Sequence, residues 1–171
     1  DQLFIFWAGH GHYDTLYKEG FIVLTDTDKD DESSYMPQTT LRNKISNIGC
    51  NHIFVMLDVC FGGAFSPIPI KRGSDYTLGN ISVEEFIAKK IKHKTRKFIT
   101  SGGLEYVSDG IAGRHSPFAR KFLETLRTYG GKDNLLLIED FLDYFNNLSP
   151  KICYGEFADD GAGSDFFFIA K

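Results

Sequence analysis

Residues 54–63, Phe54-Val55-Met56-Leu57-Asp58-Val59-Cys60-Phe61-Gly62-Gly63, decide the fold. An apolar run too short for a helix carries an acid and a cysteine to its C-terminal end, and two glycines then allow the backbone to turn sharply away. That is the form of a strand presenting a nucleophile at a sheet edge.

Similar runs recur along the chain. Leu3-Phe4-Ile5-Phe6-Trp7 has the pattern of a buried parallel strand covered on both faces. Because so early a segment already reads as central, the expectation is an incomplete domain whose first strands lie elsewhere, in a preceding segment or attached domain. Phe21-Ile22-Val23-Leu24, His52–Leu57, Phe98-Ile99-Thr100 and the tail Asp165–Ala170 read as further strands.

Helices alternate with them. Thr39 or Thr40 caps a helix through about Ile48, with Leu41, Ile45 and Ile48 on one face and Gly49 ending it. Ser82-Val83-Glu84-Glu85 has capping-box spacing and opens a helix whose end, Lys89 to Lys97, is strongly basic. Ser116-Pro117 supplies an N-cap and a first-turn proline for a helix to about Tyr129, and Leu137–Asn147 is apolar at helical spacing. This alternation predicts an α/β fold with a mostly parallel central sheet flanked by helices, which places its sites at the C-terminal strand ends. His10, in the glycine-rich stretch Ala8–Asp14, Cys60 and Ser101 all fall there.

The 171 residues fit one domain, residues 1–171, and 42% hydrophobic with 15% aromatic residues suffices for a sizeable core. A formal charge of −4 gives no global attraction to nucleic acid or anionic membrane, so neither is an expected partner. Apolar runs of strand length and no signal-peptide pattern predict a soluble, cytoplasmic protein. Cys50, Cys60 and Cys153 are odd in number and lack metal-type spacing, which predicts reduced thiols and neither a disulfide framework nor a structural metal. Residues 66–80, rich in proline and glycine around Lys71-Arg72, read as an exposed linker.

A thiolate is a strong nucleophile, and an imidazole beside it can take its proton and later hand one to a leaving amine. Cys60 and His10 suit those roles, and a helix starting after Gly63 would favour the thiolate further. Either residue alone reads equally as a small core cysteine or a loop histidine satisfied by backbone.

The two motifs together, Gly9-His10-Gly11 and Asp58-Val59-Cys60-Phe61-Gly62-Gly63, resemble those of the caspase-like cysteine peptidases, especially bacterial caspase-like proteins and metacaspases. The separation of His10 from Cys60 agrees with the caspase spacing of about 50 residues. Ser101-Gly102-Gly103-Leu104-Glu105, Asp109-Gly110, His115-Ser116-Pro117-Phe118-Ala119 and Gly163-Ser164-Asp165-Phe166 extend the likeness over nearly the whole chain. The chain departs from the family in lacking the two strands expected upstream of the histidine strand, and in having Gly62 where many relatives have serine.

The resemblance implies a caspase-like sandwich hydrolysing peptide bonds, with Cys60 as nucleophile, His10 as acid/base, and an oxyanion hole from the backbone N–H groups of Gly11 and Cys60. His12 competes with His10 but lacks a following glycine. Asp58 falls where metacaspase-type members carry an S1 acid, which implies cleavage after arginine or lysine; alternatively it caps backbone amides of the turn. Ser101 and Asp109 are expected to border that pocket, and Glu105 reads either as a pocket acid or as a solvated one. Basic P1 preference would make Arg72, after Lys71, the leading self-processing site, although such a pair also reads as solvated loop charge.

Some metacaspases respond to calcium, but Asp26–Glu32 lacks the EF-hand glycine and glutamate, having Asp31 and Pro37 there, so no EF-hand and no cofactor is expected, and the stretch reads as a solvated loop with a looser calcium site as the alternative. Two alternatives remain. One is a caspase-like scaffold that binds partners without turnover. The other is a metallo-hydrolase using His10-Gly11-His12-Tyr13-Asp14 as a His-x-His-x-Asp loop, against which Thr15 stands where the next histidine belongs.

Overall fold

A computed structural model describes residues 1–66, 82–128 and 134–169. The apolar run of the opening motif forms β5 (His52–Asp58), every residue of which is buried. It pairs in parallel with β1 (Gln2–Ala8) on one side and β6 (Thr95–Thr100) on the other, and β8 (Cys153–Glu156) runs antiparallel beside β6. The central sheet is therefore mostly parallel.

Side chains alternate across a strand, so β5 feeds two cores. Phe54 and Met56 join Ile99 on the face covered by α3 (Pro117–Thr128) and α4 (Ile138–Phe145), where Phe118, Phe122, Phe141 and Phe145 pack. Ile53, Val55 and Leu57 join Phe98 on the other face, covered by Leu41 and Ile45 of α1 (Gln38–Ser46) together with Phe65 and Phe157. Helices on both faces of a mostly parallel sheet make the mixed α/β architecture that the alternating pattern predicts. A smaller cluster of Phe86, from α2 (Val83–Lys90), with Leu135 and Phe167 completes the packing.

Several elements differ from expectation. Residues 10–14 form β2 (His10–Asp14) rather than a loop, paired antiparallel with β3 (Glu19–Val23), which in turn pairs with β4 (Met36–Pro37) in a separate sheet. Cross-strand pairing satisfies the backbone there despite the glycine content. The tail forms β9 (Phe167–Ile169), which joins β7 (Leu135–Leu137) outside the central sheet. Leu137 thus belongs to a strand, and α4 starts one residue later.

The helix begun at Ser82 stops at Lys90, and the basic residues from Thr95 onward are strand β6. Pro37 precedes α1, and its first turn is capped by Glu19 of β3, whose carboxylate accepts the Thr39 N–H at 3.1 Å, not by a threonine hydroxyl. Strand β1 is an edge of the described sheet and only half-buried, although side chains on both of its faces pack against the two cores. Ser66, at the start of the expected linker, is buried and donates to the Glu156 carbonyl at 2.8 Å; Lys71-Arg72 lies outside the described residues. Among the described residues no helix is long and apolar enough to cross a membrane.

At the N-terminal end of the sheet, Arg96 of β6 is 2% exposed. Its guanidinium donates to the carbonyls of Ile48, Cys50, Asn51 and Thr95 at 2.7 to 3.4 Å, gathering the turn that enters β5. Arg96→Met keeps the aliphatic stem but leaves those carbonyls without their donor. We expect unfolding free energy to fall by about 2–4 kcal/mol in urea titrations; a loss within about 0.5 kcal/mol, the range of ordinary surface changes, would remove this role.

Candidate active site

The last parallel Cα pair between β1 and β5 is Ala8 with Asp58. Gly9 N–H then donates to the Asp58 carbonyl at 3.1 Å, carrying the pairing one residue further. His10 and Cys60 each lie two residues past that pair, so neighbouring strands, spaced about 4.8 Å apart, deliver them to one end of the sheet.

Gly11 sits against Cys60. A Cβ at Gly11 would run into the Cys60 carbonyl oxygen and lie 3.0 Å from its carbonyl carbon, so only glycine lets β2 close on this turn. The thiol itself faces the loop after β6. Val107 N–H donates to Sγ at 3.4 Å, and the thiol reaches the Val107 carbonyl at 3.7 Å. His10 is exposed and is not among the hydrogen-bond partners of the thiol within the described residues.

The same loop binds the rest of the turn. Phe61 N–H donates to the Glu105 carbonyl at 3.1 Å and Gly63 N–H to the Gly103 carbonyl at 3.0 Å, so residues 103–107 run antiparallel beside residues 60–63. The sharp bend comes from Phe61, which takes the left-handed conformation at φ 59°, and not from the two glycines after it. Those glycines serve close approach: a Cβ at Gly62 would lie 2.9 Å from Thr100 Cβ, and one at Gly63 2.8 Å from Gly103 Cα. A serine at position 62 would need the Thr100 side chain to move. The turn that follows Cys60 is not α-helical: residues Gly62–Phe65 make a single 3₁₀ turn and Ser66 is extended, as suits the residue before a proline.

Helix α1 steadies this turn from behind. Gln38 Nε2 donates to the Phe61 carbonyl at 3.3 Å, and one helical turn on, Arg42 donates to the Phe65 carbonyl at 3.1 Å. These two residues therefore grip both ends of the bend. Gln38 is fully buried and its Oε1 has no partner among the described residues.

Asp58, 8% exposed, lines a small cleft with Ser101, Val107, Pro117 and Pro150. Its carboxylate accepts a short hydrogen bond from the Ser116 hydroxyl, which also accepts the Ala119 N–H at 2.9 Å as the cap of α3. Burial pushes the Asp58 pKa up; hydrogen bonds from Ser116 and Ser101 oppose that rise, and the negative charge of Asp109 adds to it. Asp58 and Ser101 thus share the cleft, whereas Asp109 acts on Asp58 through its charge and is not among the residues that line it, and the partners of Asp58 are hydroxyls instead of turn amides. Ser116 and Val107 were legible only as a cap and a loop residue, and Gln38 left no signal at all.

Other candidates have local employment. His12 lies 3.5 Å from Glu32 and packs edge-on to Tyr35. Asp14 accepts the N–H groups of Leu16 and Tyr17 at 2.7 and 3.0 Å, closing its own turn, and the Glu105 carboxylate accepts the Gly103 N–H. In the acidic stretch, Asp28 and Asp31 accept the N–H groups of Asp30 and Ser33. No group of three or more metal-binding side chains gathers among the described residues. No family model, no curated protein and no solved structure matches this chain.

Asp58 gives a pH signature. Below the carboxylate range both folded and unfolded forms are protonated and Asp58 contributes nothing. As pH rises, the unfolded chain ionises first while the folded protein retains its proton, so stability falls until the raised folded pKa is passed and then stays lower. Asp58→Asn should therefore be more stable than wild type at about pH 7.5, with the gain vanishing in acid below the carboxylate range. Denaturant titrations at both ends measure this; a variant less stable at neutral pH would contradict the burial argument.

Proposed function

We propose that this chain is a caspase-like cysteine peptidase domain that cleaves peptides after arginine or lysine through Cys60 and His10. The observation that carries the reading is Asp58: a buried carboxylate on the wall of a cleft beside Cys60, whose hydrogen-bond partners among the described residues are hydroxyls and not cations. A basic P1 side chain supplies the missing counter-charge, bidentately in the case of arginine.

In the reaction, His10 takes the Cys60 proton and the thiolate attacks the P1 carbonyl carbon, forming an S–C bond. Negative charge on the carbonyl oxygen is met by the N–H groups of Gly11 and Cys60. The C–N bond then breaks as His10 returns the proton to the leaving amine, giving a thioester, and water adds to the thioester with His10 as base to release the acid and the thiol. Before the first step, Sγ must leave Val107, a modest demand because thiols are weak hydrogen-bonding groups. Catalytic hydrogen bonds commonly tighten only with substrate in place.

A second reading is a binding scaffold without turnover, favoured by the engagement of the thiol with Val107 instead of His10. Labelling by a peptidyl-Arg acyloxymethyl ketone separates the two. The peptidase reading expects modification of Cys60 in wild type and a loss on the order of 10³-fold or more in labelling rate for His10→Ala; no His10-dependent labelling supports the scaffold.

Peptide libraries varied at P1 test the specificity. Wild type should favour Arg and Lys over Asp by on the order of 10²-fold, and Asp58→Ala should lose most of that ratio. Preference for aspartate or an apolar P1 would end the Asp58 assignment. Intact mass of wild type beside Cys60→Ala tests self-processing after Arg72, for which a Cys60-dependent cut is expected and equal uncut masses count against it.

A further inference from the structure

A row of three aromatic rings crosses the turn that holds Cys60. Tyr13 of β2 stacks on Phe61 at 5.8 Å between centroids and 19° between planes, and Tyr106 meets Phe61 edge-on at 4.8 Å and 68°. Phe61 belongs to the turn, Tyr106 to the loop that binds it, and Tyr13 to the strand that carries His10. Packing in the core does not account for this row, since Tyr106 is 78% exposed and its neighbour Leu104 54% exposed. Phe61 also carries backbone strain: a bulky residue in the left-handed region is uncommon, and such strain concentrates at functional sites.

The row and the acid cleft lie on opposite sides of Cys60. Phe118 and Leu148 line the cleft and belong to the core face covered by α3 and α4. The turn continues into Phe65, which belongs to the face covered by α1, and Gln38 and Arg42 hold it from that side. On β2, Gly11 and Tyr13 share the face of the strand that meets the turn, Gly11 against Cys60 and Tyr13 against Phe61.

Chemistry orients a peptide between these two features. With P1 in the Asp58 cleft on one side of Cys60, the chain beyond the scissile bond continues across the turn to the other side, where Gly11 and Tyr13 of β2 meet it. We infer that Tyr13, Phe61 and Tyr106 form the subsite for the residue immediately after the scissile bond, and that this subsite selects a large apolar or aromatic side chain. The inference rests on the peptidase reading above and adds a substrate class to it: peptides with a basic residue followed by Phe, Tyr or Leu. Stacking on an exposed ring of this kind contributes on the scale of known aromatic pairs, enough for a several-fold preference.

Internally quenched peptides with arginine at P1 and a varied next residue provide the test, alongside Cys60 labelling by a peptidyl-Arg acyloxymethyl ketone, which has no residue beyond the scissile position. In wild type, kcat/KM should be at least about fivefold higher for Phe than for Gly after the cleaved bond, and Tyr106→Ala should bring that ratio within about twofold. Exposure of Tyr106 makes the variant safe for folding, and a thermal melt checks this. Labelling of wild type without a preference at this position, a preference unchanged in a folded Tyr106→Ala, or an apolar preference that appears before P1 instead, overturns the subsite alone. Absence of both labelling and cleavage overturns the subsite together with the peptidase reading.

Discussion

The pairing of β1 with β5 is the constraint on which the rest depends. Its register runs without a break from Gln2 opposite His52 to Ala8 opposite Asp58, so the two chains leave the sheet level with each other. A one-residue slip would turn every side chain of β1 to the other face and separate His10 from Cys60 along the strand direction. The register is held by both cores at once. Phe4 and Phe6 pack on the α3 and α4 side, Leu3, Ile5 and Trp7 on the α1 side. A slip is therefore opposed by hydrophobic burial on two faces, and the same burial that stabilises the sheet sets the position of the site.

Several features at that sheet end act against stability. Phe61 is left-handed, Asp58 is buried with its pKa pushed up, and Gln38 keeps an amide oxygen buried without a partner among the described residues. Strained conformations and unsatisfied buried polar atoms each cost roughly 1–3 kcal/mol. At the opposite sheet end the terminal nitrogens of Arg96 reach four carbonyls, although its Nε has no partner among the described residues, and Thr95 donates to the Asp165 carbonyl while meeting His52. A left-handed turn, a buried carboxylate and an unpartnered amide oxygen at this sheet end suit a binding cleft, because a ligand can supply the partner that folding withholds.

The sequence made β5 legible because it is buried on both faces and reads as a continuous apolar run, whereas only Phe98–Thr100 of β6 stood out, its first half Thr95-Arg96-Lys97 being polar. It concealed β2, whose five residues include glycine and two histidines and are strand only through their antiparallel partner β3. β8 was likewise hidden, since Cys153-Tyr154-Gly155-Glu156 has neither alternation nor a sustained apolar run. At the site, His10, Cys60 and Asp58 stood out by residue type at strand ends. Gly62 and Gly63 were read as allowing the sharp turn because sequence cannot distinguish a glycine needed for φ from one needed for closeness. Ser116 was visible as a cap but not as the donor to Asp58, fifty-eight positions away, a contact that exists only through the docking of α3 on the sheet.

The loop from Gly103 to Ser108 brings these strands of argument together. Its backbone binds Phe61 and Gly63, Val107 engages the Cys60 thiol, Val107 and Ser108 wall the cleft, and Tyr106 extends the aromatic row. The two carbonyl bonds to the turn are ordinary backbone pairs, whereas the two contacts with sulfur are long and weak. The loop can thus remain attached through Gly103 and Glu105 while Val107 exchanges the thiol for another partner. On the proposed reading, a peptide that fills the cleft competes with Sγ for the same residue, Val107. Substrate binding and release of the thiol toward His10 then become one event, and the nucleophile stays engaged until a cleavable chain displaces its partner.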